Sequence, residues 1–221
     1  MSNEIANTQE TAISVPQQQH DDSIFEQVSS SGKYLPRLQL YGSNSDKAKE
    51  GVIQSGHYGL TSSKDQIDDL GKEVDVLIVS WRPKALDISG EEIIASYNPN
   101  SELFKNIQQR ADVPNSSCMF GPEFLVYIPD KAKWATLMMG SKSARREAPN
   151  VKSHMGQFAT LKVTLAANKR YKWHATVVSS CSTAYDVPAD EEIKEKVENF
   201  LNPPENENEP VEEAASSDRK R

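Results

Sequence analysis

The chain has 221 residues, a formal net charge of −7, 37% hydrophobic residues and a mean hydropathy of −0.64. That composition suits one domain of ordinary size with polar ends, and the lack of any long apolar run excludes a helical membrane span. The two cysteines, Cys118 and Cys181, are too few for a disulfide framework and fit a reducing compartment, so a cytoplasmic location (a host's, for a viral protein) is expected.

The charge is segregated. Residues 1–30 carry −5, residues 31–186 carry +4 and residues 187–221 carry −6. Residues 1–30 are rich in Gln, Ser, Asn and Thr, with neither a basic start nor an apolar stretch. They read as a disordered acidic tail and not as a secretory signal. The β-rich core is expected over 31–186, its first strand lying in "YLPRLQLYG". "SGHYGLTSS" is a short strand flanked by glycine, and "EVDVLIVSWRP" is nearly continuously β-branched, the mark of a strand covered on both faces. "EEIIASYNP" reads as another short strand. "SELFKNIQQRAD" reads as a helix with Ser101 as N-cap and Leu103, Phe104 and Ile107 on one face.

"PEFLVYIPDKAKWATLMMG" reads as a hairpin turning at Pro129–Asp130–Lys131–Ala132. The stretch "MMGSKSARREAPNVKSHMG" follows, a short helix or long loop punctuated by Pro149 and Gly156. "FATLKVTLAANKRYKWHATVV" is a second hairpin, in which Ala159, Leu161, Val163 and Leu165 alternate with polar residues. "ADEEIKEKVENFLNPP" is an amphipathic helix within 187–202, with Asp190 as cap and Ile193, Val197, Phe200 and Leu201 as its stripe. Residues 203–221 read as a disordered acidic tail. About seven short strands with one or two inserted helices predict a mainly β fold, an OB-like barrel or a sandwich, with the segment 141–156 bridging two late strands.

Enzyme signatures are lacking. The four histidines are scattered, the cysteines have no metal-ligand spacing, and phosphate-loop, GxSxG and GxGxxG motifs do not occur. No cofactor or metal is expected, and the function class is non-enzymatic. The basic segments carry the positive case. Lys142, Arg145, Arg146 and Lys152 surround the single acid Glu147, and Lys162, Arg170 and Lys172 follow in the next hairpin. Several cations on one side of a groove neutralise phosphates and release counterions. Trp134, Tyr171 and Trp173 interleave with these bases, while Tyr41 and Trp81 sit at strand ends, and flat rings stack on the bases of single strands. Alternation puts Arg170, Lys172 and His174 on one side of their strand and Tyr171 and Trp173 on the other.

A β core, a basic and aromatic face and an acidic C-terminus together resemble the single-stranded DNA-binding proteins of tailed bacteriophages, in organisation over residues 34–213. The resemblance implies an OB-fold, sequence-independent binding of single-stranded DNA or RNA in replication or recombination, self-association, and recruitment of replication proteins by the acidic tail. The ending Asp218–Arg219–Lys220–Arg221 departs from tails that finish in acids and an aromatic residue. The competing expectation is a viral structural, assembly or adaptor protein that ignores nucleic acid.

Overall fold

A computed structural model describes residues 35–63, 66–90, 93–113 and 116–202. The expected tails, 1–30 and 203–221, lie outside the described residues. The fold is mainly β. Its strands are β1 (Arg37–Tyr41), β2 (His57–Ser63), β3 (Gln66–Gly71), β4 (Glu73–Asp87), β5 (Ile94–Ser96), β6 (Cys118–Ile128), β7 (Lys133–Met138), β8 (Phe158–Ala167) and β9 (Lys172–Ser180). The helices among the described residues are α1 (Asp46–Lys49), α2 (Glu102–Ala111), α3 (Lys142–Ser153) and α4 (Asp190–Leu201).

All nine strands join one sheet in the order β3-β2-β1-β7-β6-β4-β8-β9, with β5 on the far half of β4. Neighbours are antiparallel except β1 and β7. The sheet is not closed by a ladder, but it curls until β9, at one end, meets β2, next to the other end. The Tyr58 hydroxyl of β2 donates to Thr176 Oγ1 of β9 at 3.0 Å, and burial pushes its pKa up. Inside the curl, Leu38, Tyr58, Val76, Phe124, Leu137 and Leu161 form the main core, and α3 adds Ala148 and Val151.

β4 organises the molecule. Its first residues, Glu73–Leu77, pair with β8, while Leu77–Asp87 pair with β6. The strand runs past the apolar stretch to Asp87, because β6 supplies a partner for every residue of that extension. Between Leu77 and Ala85 the one strand that pairs with it among the described residues is β6, and Pro83 falls there, opposite Pro122. A missing N–H costs least where one edge is unpaired. The far end of β4 and β6 is covered by α2, through Phe104 and Ile107 on Ala85 and Cys118. Ser101 caps α2 as predicted, its Oγ accepting from the Phe104 N–H at 3.1 Å.

The outer face of β4, β6 and β7 is covered by α4, which settles where that amphipathic helix packs. Phe200 is buried with Leu125 and Trp134, and Ile193 and Val197 pack beside them. Asp190 is not the cap: Ala189 holds that position and makes no side-chain cap bond. The chain reaches α4 through 181–189, pinned where Tyr185 donates to Asp75 Oδ2 at 2.8 Å and its ring meets Phe158 at 5.3 Å. Strand β3 escaped the sequence reading because "QIDDLG" is mostly polar, as an edge strand can be. Among the described residues no helix is long and apolar enough to cross a membrane.

Candidate nucleic-acid interface

The basic segment is one helix. Ser141 caps α3, its Oγ accepting from the Ala144 N–H at 3.2 Å, and Pro149 is accommodated inside the helix. Ala144, Ala148 and Val151 turn to the core. Arg145 and Lys152 are seven residues apart and so share one flank of α3. Each lies over a ring of the sheet: the Arg145 guanidinium 4.0 Å from the Phe120 centroid, and Lys152 Nζ 4.0 Å from the Trp81 centroid.

Glu147 occupies the opposite flank and answers neither arginine. Its Oε1 accepts the Val178 N–H at 2.9 Å, capping the outer edge of β9, and Oε2 accepts from Asn150. Arg145 instead reaches Asp112 at the end of α2, at 2.9 Å, and donates to the Gly140 and Phe120 carbonyls. Lys142 approaches the same Asp112 carboxylate at 3.9 Å. Arg145 is therefore a clip between α3 and the β6 end. Arg146, on the solvent side of α3, is exposed.

The second basic group lies on the β8–β9 hairpin. Its turn is ordered by Asn168, whose Oδ1 accepts the Arg170 and Tyr171 N–H groups at 2.9 and 2.7 Å and whose N–H donates to the Tyr171 carbonyl. Arg170, Tyr171 and Lys172 project from this turn, Tyr171 with 55% of its surface exposed. The hairpin extends past the core, so Leu165, on the side facing inward lower down, is 61% exposed. His174 and Thr176 point toward the body, against Gly56 and Tyr58, while Trp173 lies half-buried on the outer side opposite Ala166. The predicted alternation of His174 against Trp173 holds. Tyr171, placed in the strand from sequence, belongs to the turn.

Two predicted stacking rings are core residues. Trp134 is 7% exposed beneath α4, donates Nε1–H to Glu192 Oε1 at 2.6 Å and tilts against Tyr127. Tyr41 is 3% exposed and shares a 2.7 Å hydrogen bond with Thr61. Both rings are large apolar surfaces on the buried side of their strands, which decides their place. Lys162 pairs with Glu73 across β8 and β4 at 3.3 Å. The cations thus do not form one strip. Lys142, Arg145 and Lys152 line α3 beside Trp81 and Phe120, and Arg170 and Lys172 stand at the hairpin tip. Among the described residues Arg146, Lys152, Arg170 and Lys172 have no carboxylate partner. No Asp or Glu occurs from 148 to 185.

A charged cluster on the outer face went unnoticed in the sequence. Glu123, 2% exposed, accepts from Arg82 at 2.7 Å and from Lys84 at 2.6 Å. The Arg82 guanidinium lies 4.0 Å from the Tyr97 centroid and 4.3 Å from that of Phe200, and donates to the Phe200 carbonyl. The period-two spacing of Arg82 and Lys84 in a strand was the available signal. No group of three or more His, Cys, Asp or Glu residues among those described could hold a metal ion. Comparisons with protein-family models, curated proteins and solved structures find no match for this chain.

Proposed function

We propose that this protein binds single-stranded nucleic acid without sequence specificity and acts in replication or recombination, with the β8–β9 tip as its primary contact. The observation that carries this is the tip itself: an exposed tyrosine between two cations that have no carboxylate partner among the described residues, on a turn fixed by Asn168. Arg170 and Lys172 would neutralise successive phosphates while Tyr171 stacks on a base, the pair of devices that general single-strand binders use. Fixing the turn beforehand lowers the ordering cost of binding. Arg146 and Lys152 supply further positive charge from α3. The finer part of this proposal is that the curled sheet is an OB-type barrel, and that the acidic C-terminus recruits partner proteins in the cytoplasm (a host's, for a viral protein).

Titration of a labelled oligonucleotide by fluorescence anisotropy tests the proposal. Binding should be tight near ~50 mM salt and fall steeply by ~200 mM, with a single strand preferred over a duplex. A flat anisotropy trace at the lower salt would refute it.

A further inference from the structure

Trp81 and Lys152 form a contact that differs from the other cation–ring pairs. Arg145 over Phe120 is also held by Asp112 and two carbonyls, and Arg82 over Tyr97 is held by Glu123. Lys152 is exposed, has no carboxylate partner among the described residues, and rests on a half-buried indole. On the same face of the β4–β6 ladder, the next cross-strand pair is Pro83 opposite Pro122, both half-buried, and then Ala85 opposite Phe120. Three successive positions of this face therefore carry rings, bordered on one side by Lys152 and Arg145 of α3. On the other edge of β4, β8 pairing ends at Leu77 and β5 pairing begins at Ala85, so no strand among the described residues covers the border beside Trp81.

We infer that Trp81 is a base-stacking station and that Lys152 is its exchangeable cover. A nucleobase takes the face of the indole now occupied by the ammonium group, and Lys152 swings to the phosphate of the same nucleotide. An exposed cation–π contact is weaker than the stacking of a base on tryptophan, and the released lysine keeps a charged partner, so the exchange runs toward the bound state. The inference rests on the nucleic-acid reading above and adds a second contact point, at a ring the free protein keeps covered. Arg145, fastened to Asp112, positions α3 and does not move.

The experiment uses the full chain with Trp134→Phe and Trp173→Phe, which leaves Trp81 as the emitting indole, and oligodeoxythymidine longer than the ~4–16-nucleotide footprint of one such domain. Saturable quenching of Trp81 is expected, with the midpoint found by anisotropy. Lys152→Glu, a surface change that lowers the thermal midpoint only slightly through the lost ring contact, should weaken binding by about tenfold. Should the double variant misfold, Lys152→Glu and Lys152→Gln in the otherwise unchanged protein decide alone, the glutamine variant falling between. If the unchanged protein binds by anisotropy while Trp81 emission stays constant and Lys152→Glu binds as well as the parent, the station is refuted and tip binding stands. If the parent itself fails to bind at low salt, both fall together.

Discussion

Arg82 and Glu123 face each other across the β4–β6 ladder, joined at 2.7 Å beneath the last turn of α4. With Lys84 they make a buried group of two cations and one carboxylate, roofed by Phe200 and flanked by Tyr97. A charge removed from such a group leaves the others unpaired in low dielectric, which costs far more than the intact group contributes.

Glu123→Ala should therefore lower stability by about 3–5 kcal/mol, read as a fall in the urea midpoint. Burial pushes the Glu123 pKa up, but the Lys84 and Arg82 charges outweigh it and hold the carboxyl below its ordinary range. A depressed native pKa adds stability above the unfolded value, near ~4.3, and that stability is lost as pH falls through the native one. Acid titration of stability should be shallower in Glu123→Gln than in the parent.

Phe200→Ala should release α4 before the sheet melts. The helix lacks a side-chain cap at Ala189 and a base in its last turn, and 12 residues hold helix poorly alone. Its attachment rests on Phe200, Ile193, Val197 and the Trp134–Glu192 bond. Amides of 190–201 should lose hydrogen-exchange protection and Trp134 emission should move to the red, while β4 and β6 stay protected. Retained protection across 190–201 would show that the helix is held otherwise.

Gly56→Ala tests the meeting of the hairpin with the loop before β2. Gly56 has φ +81, and an added Cβ would lie 2.7 Å from His174 Nε2. The left-handed backbone alone costs an alanine about 1–2 kcal/mol, so the thermal midpoint should drop. His174→Ala added to Gly56→Ala should recover the steric part of the loss and leave the conformational part.

Burial separates the rings by expected effect on nucleic-acid affinity. Tyr171→Ala, at an exposed turn position, should weaken oligonucleotide binding by about tenfold without changing stability. Tyr41→Phe should leave affinity untouched and cost about 1 kcal/mol of stability through the lost Thr61 bond. Equal affinity for the Tyr171→Ala protein would remove the tip from the interface.

The local alphabet of the fold was legible where periodicity and turn chemistry agree. Leu38 and Leu60 announce β1 and β2, Ser101 announces α2, and Pro129 with Asp130 announces the β6–β7 turn. The order of strands was not legible, because β1 pairs with β7 across about half the chain and nothing local encodes that. The same limit applies to the site. The cations of 142–172 are visible as letters, but which one meets a carboxylate depends on Asp112 and Glu73, contributed by other elements. Trp134 and Tyr171 look alike in sequence, but α4 covers the first and the projecting β8–β9 turn leaves the second at the surface.

The most direct measurement is the salt dependence of oligonucleotide binding by the unchanged protein and by the Arg170→Ala, Lys172→Ala double variant. Each phosphate contact on a single strand contributes about 0.7 to the slope of log K against log salt, so losing two contacts should flatten it by about 1.4. Weaker binding with that flatter slope is the predicted result. Binding of equal strength and equal slope in the two proteins would contradict it.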